Sequence, residues 1–216
     1  MKLRILITGG GGSATEAIYK IWKKKYELFF CDCNILKKPK IISKKRWIKI
    51  PIASSKDYLL KLNKILSSLK IDLLIPSVDE EVEIISKNRN KIRCDLLMPS
   101  EKFINIHKNK WKTNQFLKKK NFYSPESRIL KKNTKLFPGP LIIKPIMGRG
   151  SQGVRIINKK DGIKNYISNS DMSGKLIIQK KIIGKEYTVM VSANKKGIVK
   201  AIVPVKVLEK KGITIL

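Results

Sequence analysis

The apolar positions of the first hundred residues fall into short continuous runs separated by amphipathic stretches. "KLRILIT" (2–8), "YELFFCD" (26–32), "IDLLIPS" (71–77) and "CDLLMPS" (94–100) read as strands buried on both faces of a sheet. Between them, residues 14–24 set Ala14, Ala17, Ile18, Ile21 and Trp22 on one helical face. Tyr58, Leu59, Leu62, Ile65, Leu66 and Leu69 do the same, with Ser54 or Ser55 as candidate cap. A third helix over 79–91 opens with acids, which suit the positive end of a helix. Strand and helix alternating in this order predict a parallel sheet covered on both faces. The expectation is an α/β, doubly wound, Rossmann-like domain over residues 1–108.

The pattern changes near residue 108. "NKWKTNQFLKKKNF" is helical, and "YSPESRILKKNTKLFPGP" is polar and punctuated by proline, as a connector is. Strands follow at 140–145 and 154–158, then a helix near 160–169 introduced by "KKDG", then strands at 175–180, 186–194 and 197–208. "NKKG" (194–197) turns the last two into an antiparallel hairpin. Two-residue alternation assigns Val189, Val191, Val199, Ala201, Val203 and Val205 to one apolar face. Residues 109–216 are therefore expected to form a second, α+β domain.

Charge is the loudest feature of the composition. The chain of 216 residues carries a formal net charge of +32, which by itself suggests nucleic acid. Yet 41 of the 48 basic residues are lysine, and they are spread through every segment. Arginine, which makes the bidentate contacts of sequence readout, is scarce. No specific nucleic-acid partner is expected. No apolar run approaches membrane-spanning length, and "MKLRILITGG" reads as a first strand in place of a signal peptide, so a cytoplasmic setting is expected. Cys31, Cys33 and Cys94 lack zinc spacing and read as reduced thiols buried on strands, and the single His107 cannot build a metal site alone.

Two glycine loops compete for a phosphate. "TGGGGS" (8–13) joins the first strand to the first helix, where helix-terminal N–H groups favour an anion. It lacks both the full dinucleotide fingerprint and a P-loop ending, although Asp32 is a candidate ribose acid; a tight turn explains it equally well. "MGRGSQGV" (147–154) instead lies between two strands. Gly148, Gly150 and Gly153 allow close backbone approach, and Arg149 and Ser151 add donors. Lys144 is the one charge in "PLIIKP", and burying it is expensive unless a fixed anion meets it. Strand lysine and glycine flap together make a phosphate clamp; the bland reading is a flexible hairpin with a snorkelling lysine.

With "QKKIIGKE" (179–186) added, the chain resembles the ATP-grasp superfamily, in particular its carbamoyl-phosphate-synthase-like ATP-binding domains. "LLIPSVDEEVEII" (73–85) is similar to the strand-to-helix step of the family's pre-ATP-grasp domain. The resemblance implies that Lys144 neutralises the α/β phosphates, with Lys110 as a second cation; Asn109 stands where relatives carry aspartate. It implies that Gly148 to Gly153 fold over the triphosphate. It further implies that the backbone of Lys180 and Ile182 meets the adenine edge beside Gln179, and that Glu186 accepts from ribose. Met190 departs from the family, which often carries an acid there.

In the family two magnesium ions are held by acids and an asparagine, usually in "E-x-N", and no such motif is present. The expectation is therefore an ATP-grasp domain that is C-terminally incomplete, with no metal ligands of its own and poor turnover alone. ATP with Mg2+ as cofactors, and a small carboxylate as partner, are what the resemblance implies. The leading reading is a ligase that activates a carboxylate as acyl phosphate for attack by an amine or similar nucleophile. A non-catalytic nucleotide-binding module and a basic nucleic-acid-binding protein are the alternatives.

Overall fold

The computed structural model describes residues 1–148, 150–158, 175–194, 196–211, 213 and 214, and the chain divides into two compact units, Met1–Ile104 and Asn105–Leu216. The helix expected near 160–169, Arg149 and the final residues 215–216 lie outside the described residues.

In the first unit β1 (Arg4–Ile7), β2 (Glu27–Asp32), β3 (Trp47–Lys49), β4 (Leu73–Ile75) and β5 (Asp95–Leu96) form one parallel sheet in the order β3-β2-β1-β4-β5. Alternate residues of β1 and β2 feed two apolar clusters, so the sheet is covered on both faces. Leu6, Phe29 and Cys31 pack with Tyr58, Leu62, Ile65 and Leu66 of α2 (Tyr58–Ser68) and Ile85 of α3 (Asp79–Lys87). Ile5, Ile7, Leu28 and Phe30 pack with Trp47 and with α1 (Thr15–Trp22).

The face that α1 buries differs from the one its spacing suggests. Thr15 is buried and Ile18, Tyr19 and Trp22 face the core, whereas Ala14, Ala17 and Ile21 are not part of it, Ile21 being 72% exposed. The two aromatics reach the core and set the helix rotation: Tyr19 stacks edge-on to Phe30 at 6.2 Å. Nor do Ser54 and Ser55 cap α2, whose N-cap is Asp57. Of the three free cysteines only Cys31 is fully buried; Cys33 follows the end of β2 and is exposed.

After α4 (Glu101–His107), the second unit continues with α5 (Lys110–Lys119), capped by Asn109, whose side chain accepts from the Lys112 N–H. β6 (Ser127–Ile129), β7 (Leu141–Pro145), β8 (Arg155–Ile157) and β9 (Leu176–Lys180) make an antiparallel sheet in the order β6-β9-β7-β8. The supposed connector thus contains a strand, and its Leu130 and Phe137 join Leu141, Ile143 and Ile178 in the core.

β10 (Tyr187–Ala193) and β11 (Val199–Lys206) form the expected hairpin. Their register corrects the single apolar face: Val189 and Val191 oppose Pro204 and Ile202, while Val203 and Val205 oppose Met190 and Thr188. Alternation within a strand leaves the pairing between strands open, and an irregularity at Ser192/Ala193 shifts it. Both faces carry exposed apolar side chains. β12 (Lys210–Lys211) and β13 (Ile213–Thr214) pair antiparallel.

Candidate functional site

The two glycine loops are built differently. In 8–13 the space around Gly10 and Gly11 is full, and Gly9 is crowded by Val78 and also has φ +60°. A Cβ on Gly10 would stand 2.7 Å from the Trp47 ring and 2.9 Å from Phe30, and one on Gly11 would stand 2.6 Å from Lys37 Cβ. Asp32 accepts the Gly11 N–H at 2.9 Å through one carboxylate oxygen and the Asn34 N–H at 2.8 Å through the other. The carboxylate therefore holds the turn itself. In 147–154 the surroundings of Gly148 and Gly150 are open: neither has an atom within 4 Å of an added Cβ, and both have positive φ, +119° and +62°. Gly153, at φ +68°, approaches Pro145 at the loop's return. The loop joins β7 to β8 as a hairpin.

Lys110, the first residue of α5, grips the near side of this loop. Its backbone N–H donates to Ile146 O at 3.0 Å and its ammonium to Gly148 O at 2.7 Å. Burial lowers the Lys110 pKa from the ordinary lysine value, because removal from water disfavours the charged form. Lys144 comes from the end of β7, just before the loop begins. It is half-buried and donates to Gln179 Oε1 at 2.7 Å. The register makes this contact: Lys144 opposes Ile177 on β9, which places Gln179 two residues on, on the same sheet face. On that face Lys144 and Gln179 sit among Ile142 and the buried Ile177, whereas Leu141, Ile143 and Ile178 fill the other.

The structure thus pairs Lys110 with Gly148 at the start of the loop and Lys144 with Gln179 on the adjoining strands. Ser151, with φ +58°, forms the outer part of the loop and accepts the Val154 N–H through its carbonyl. Lys180 ends β9, its N–H donated to Glu126 O. Ile182 is 48% exposed in the segment after β9, and Glu186 precedes β10, its carbonyl accepting the Val207 N–H. Three residues escaped sequence reasoning: Asn114 on α5, Pro125, and Ser127 on β6, which lie behind Gln179 and are joined to it by hydrogen bonds. Ser127 and Ile129 share one strand face in "SPESRIL" and Arg128 and Leu130 the other, a strand signal too short to stand out among lysines.

The family model for an ATP-grasp domain matches residues 107–214. The chain belongs to the ATP-grasp family. The matched ATP-grasp span includes α5, the whole antiparallel sheet and the glycine loop. Among solved structures, N5-carboxyaminoimidazole ribonucleotide synthetase from Thermotoga maritima is similar at 22% identity and TM-score 0.70, over 96% of this chain and 54% of that one. The Staphylococcus aureus N5-carboxyaminoimidazole synthetase, solved with ADP, is similar at 13% identity and TM-score 0.73, over 99% of this chain and 57% of that one. An L-amino acid ligase from Bacillus licheniformis is similar at 11% identity and TM-score 0.68, over 88% and 47%. At these identities the likeness is one of fold. The chain spans about half the length of these structures. No curated protein matches it in sequence.

Magnesium is usual in the family, but among the described residues no group of three His, Cys, Asp or Glu side chains could hold a metal. The described residues by themselves do not supply a ligand set for that ion. Among the described residues no helix is long and apolar enough to cross a membrane.

Proposed function

We propose that residues 105–216 bind ATP in the clamp formed by Lys110, Lys144 and the 147–154 loop, and that the first unit is a Rossmann-like pre-ATP-grasp domain of the carbamoyl-phosphate-synthase-like branch. The observation that carries this reading is the placing of two lysines at the root of one glycine hairpin, one of them part-desolvated, in a chain of this family. Lys144 neutralises the α/β phosphates, and Gly148, Gly150, Ser151 and Gly153 offer backbone to the triphosphate. Arg149 belongs to the same proposed set. Lys180 and Ile182 face the adenine edge, and since the Lys180 N–H is already used by Glu126, its carbonyl makes that contact. Glu186 accepts from the ribose.

The reaction proposed for the parent enzyme starts when a carboxylate oxygen of a small acid attacks the γ-phosphorus. The bond from that phosphorus to the β–γ bridging oxygen breaks, and ADP leaves. An amine nitrogen then attacks the acyl carbon, the carbon–oxygen bond to phosphate breaks, and the amine gives up a proton. The solved neighbours, a carboxyaminoimidazole synthetase and an amino acid ligase, support this reaction class. With no metal-holding group among the described residues, residues 1–216 alone are proposed to bind nucleotide with little turnover.

Lys144→Ala tests the clamp. Calorimetric titration with a non-hydrolysable ATP analogue should show affinity reduced tenfold or more, since a charge-assisted phosphate contact is worth roughly 1.5–3 kcal/mol. Lys64→Ala, on α2 in the other unit, is the control and should change nothing. Unchanged affinity in Lys144→Ala would dismiss the clamp.

A further inference from the structure

Lys110 meets the glycine loop at two points. Its backbone N–H donates to Ile146 O at 3.0 Å, and its ammonium donates to Gly148 O at 2.7 Å. Ile146 is also held from its other side, its N–H donating to Lys175 O at 2.8 Å. The helix that carries Lys110 is itself anchored. Asn109 caps α5 by accepting the Lys112 N–H at 2.9 Å. Asn114, 4% exposed, donates through Nδ2 to Pro125 O at 2.8 Å and to Ser124 Oγ at 3.2 Å. The side chain of Lys110 therefore reaches out from a fixed support.

What it holds is a joint that sterics leave loose. Gly148 has φ +119° and no atom within 4 Å of an added Cβ, and a glycine in open space turns about its backbone at little steric cost. The exit of the loop is secured in another way. A Cβ on Gly153 would stand 2.8 Å from Pro145, and the Val154 N–H donates to Ser151 O at 3.2 Å. Packing thus closes the loop at Gly153, whereas at Gly148 the restraint comes from a charged donor on another element. Such a bond is stronger than one between neutral groups, and here it falls on a backbone carbonyl 38 positions away.

We propose that Lys110 is a positioning residue for the glycine loop: in the ligand-free protein its ammonium fixes the Gly148 carbonyl, and with it the entry of the loop, so that an arriving nucleotide meets a loop already set. Ordering a loop on binding subtracts from affinity, and the tie removes that loss in advance. An ammonium has three N–H groups, so the bond to Gly148 O is compatible with the part of second cation. The consequence for affinity rests on the reading of 147–154 as the nucleotide loop; the tie itself does not.

Lys110→Met keeps the length of the side chain and removes its donors. Lys112→Met, exposed on the same helix, is the control. Both variants of residues 1–216 should melt as the wild type does. Amide order parameters from NMR relaxation are then measured without ligand. In the wild type and the control the Gly148 and Gly150 N–H groups should lie in the rigid range, about 0.85, and in Lys110→Met they should fall below about 0.6. The Leu141 and Ile143 amides on β7 should keep their values in all three, which separates loss of the tie from a general loosening. Affinity for a non-hydrolysable ATP analogue should fall about tenfold or more in Lys110→Met.

The two measurements fail separately. Order lost with affinity unchanged supports the tie but takes the loop out of the nucleotide site, so the nucleotide reading falls. Affinity lost with order unchanged leaves Lys110 a cation for the phosphates and overturns its positioning role. Loop amides already mobile in the wild type would overturn that role as well.

Discussion

The loops at 8–13 and 147–154 look alike in sequence, but Gly10 and Gly11 of the first and Gly148 and Gly150 of the second stand in opposite surroundings. Both follow a strand, and both hold three or more glycines within six residues. In the first, side chains of Trp47, Phe30 and Lys37 already occupy the space a Cβ would need, and Asp32 holds the turn. In the second, Gly148 and Gly150 look out on open space and are set apart only by their positive φ. A glycine cluster in a sequence thus records a constraint without saying which one, crowding or conformation. Crowding makes a loop part of the core, whereas conformation with open space leaves room for something to arrive.

Gly10→Ala is the strongest way to sharpen this contrast. Gly10 has no positive φ, so the whole effect is overpacking against Trp47 and Phe30, and urea unfolding should show a loss of about 1–3 kcal/mol. Nucleotide affinity of the protein that remains folded should not change. Gly150→Ala should do the reverse. Its cost in stability is limited to the left-handed backbone, on the order of 1 kcal/mol, yet affinity for the ATP analogue should fall several-fold if, as proposed, the loop closes over the phosphates in that conformation. Equal stability losses for the two variants, with equal effects on binding, would erase the distinction.

The smallest effect concerns the support of the first loop. Glu81, 6% exposed on α3, lies beside the hydroxyls of Thr8 and Tyr58. Burial raises its pKa above the ordinary value, and those hydroxyls offset the rise only in part. In the unfolded chain the carboxyl titrates near about 4.3, so between that pH and its higher folded value the native state binds more protons. Stability is therefore full below the ordinary glutamate range and is lost as pH rises through the folded value. Glu81→Gln should remove this loss. It should raise stability at neutral pH by about 1 kcal/mol or less and give no gain in acid, as thermal melts across pH will show.

Much of the scaffold was legible because hydrophobic periods are long-range averages. Tyr58, Leu62, Ile65 and Leu66 repeat over more than two turns, and the β7–loop–β8 unit carries its own punctuation. What escaped was short or relational. β3 and β6 are three residues each, too few to show a period. The rotation of α1 turned on two aromatics whose reach outweighs the spacing of Ala14, Ala17 and Ile21. At the site, Lys144, Lys110 and the glycines stand out because a cation or a glycine run is unusual where they sit. Ser127 is 52 positions from Gln179, and nothing in either neighbourhood announces a bond that only the sheet register creates.

Pro204 has a consequence for how this protein behaves in company. The Val207 N–H bonds to Glu186 O, so in the alternation of an antiparallel ladder the Val189–Pro204 pair is a non-bonded one. The nitrogen of residue 204 therefore faces outward, along the rim of β11 that no other described strand pairs with. With apolar side chains on both surfaces, such a rim is a template for recruiting further strands from neighbouring molecules. Proline puts a gap in the row of donors where an added strand would need one, so strand addition along β11 should be easier in Pro204→Ala than in the wild-type chain, which light scattering would show.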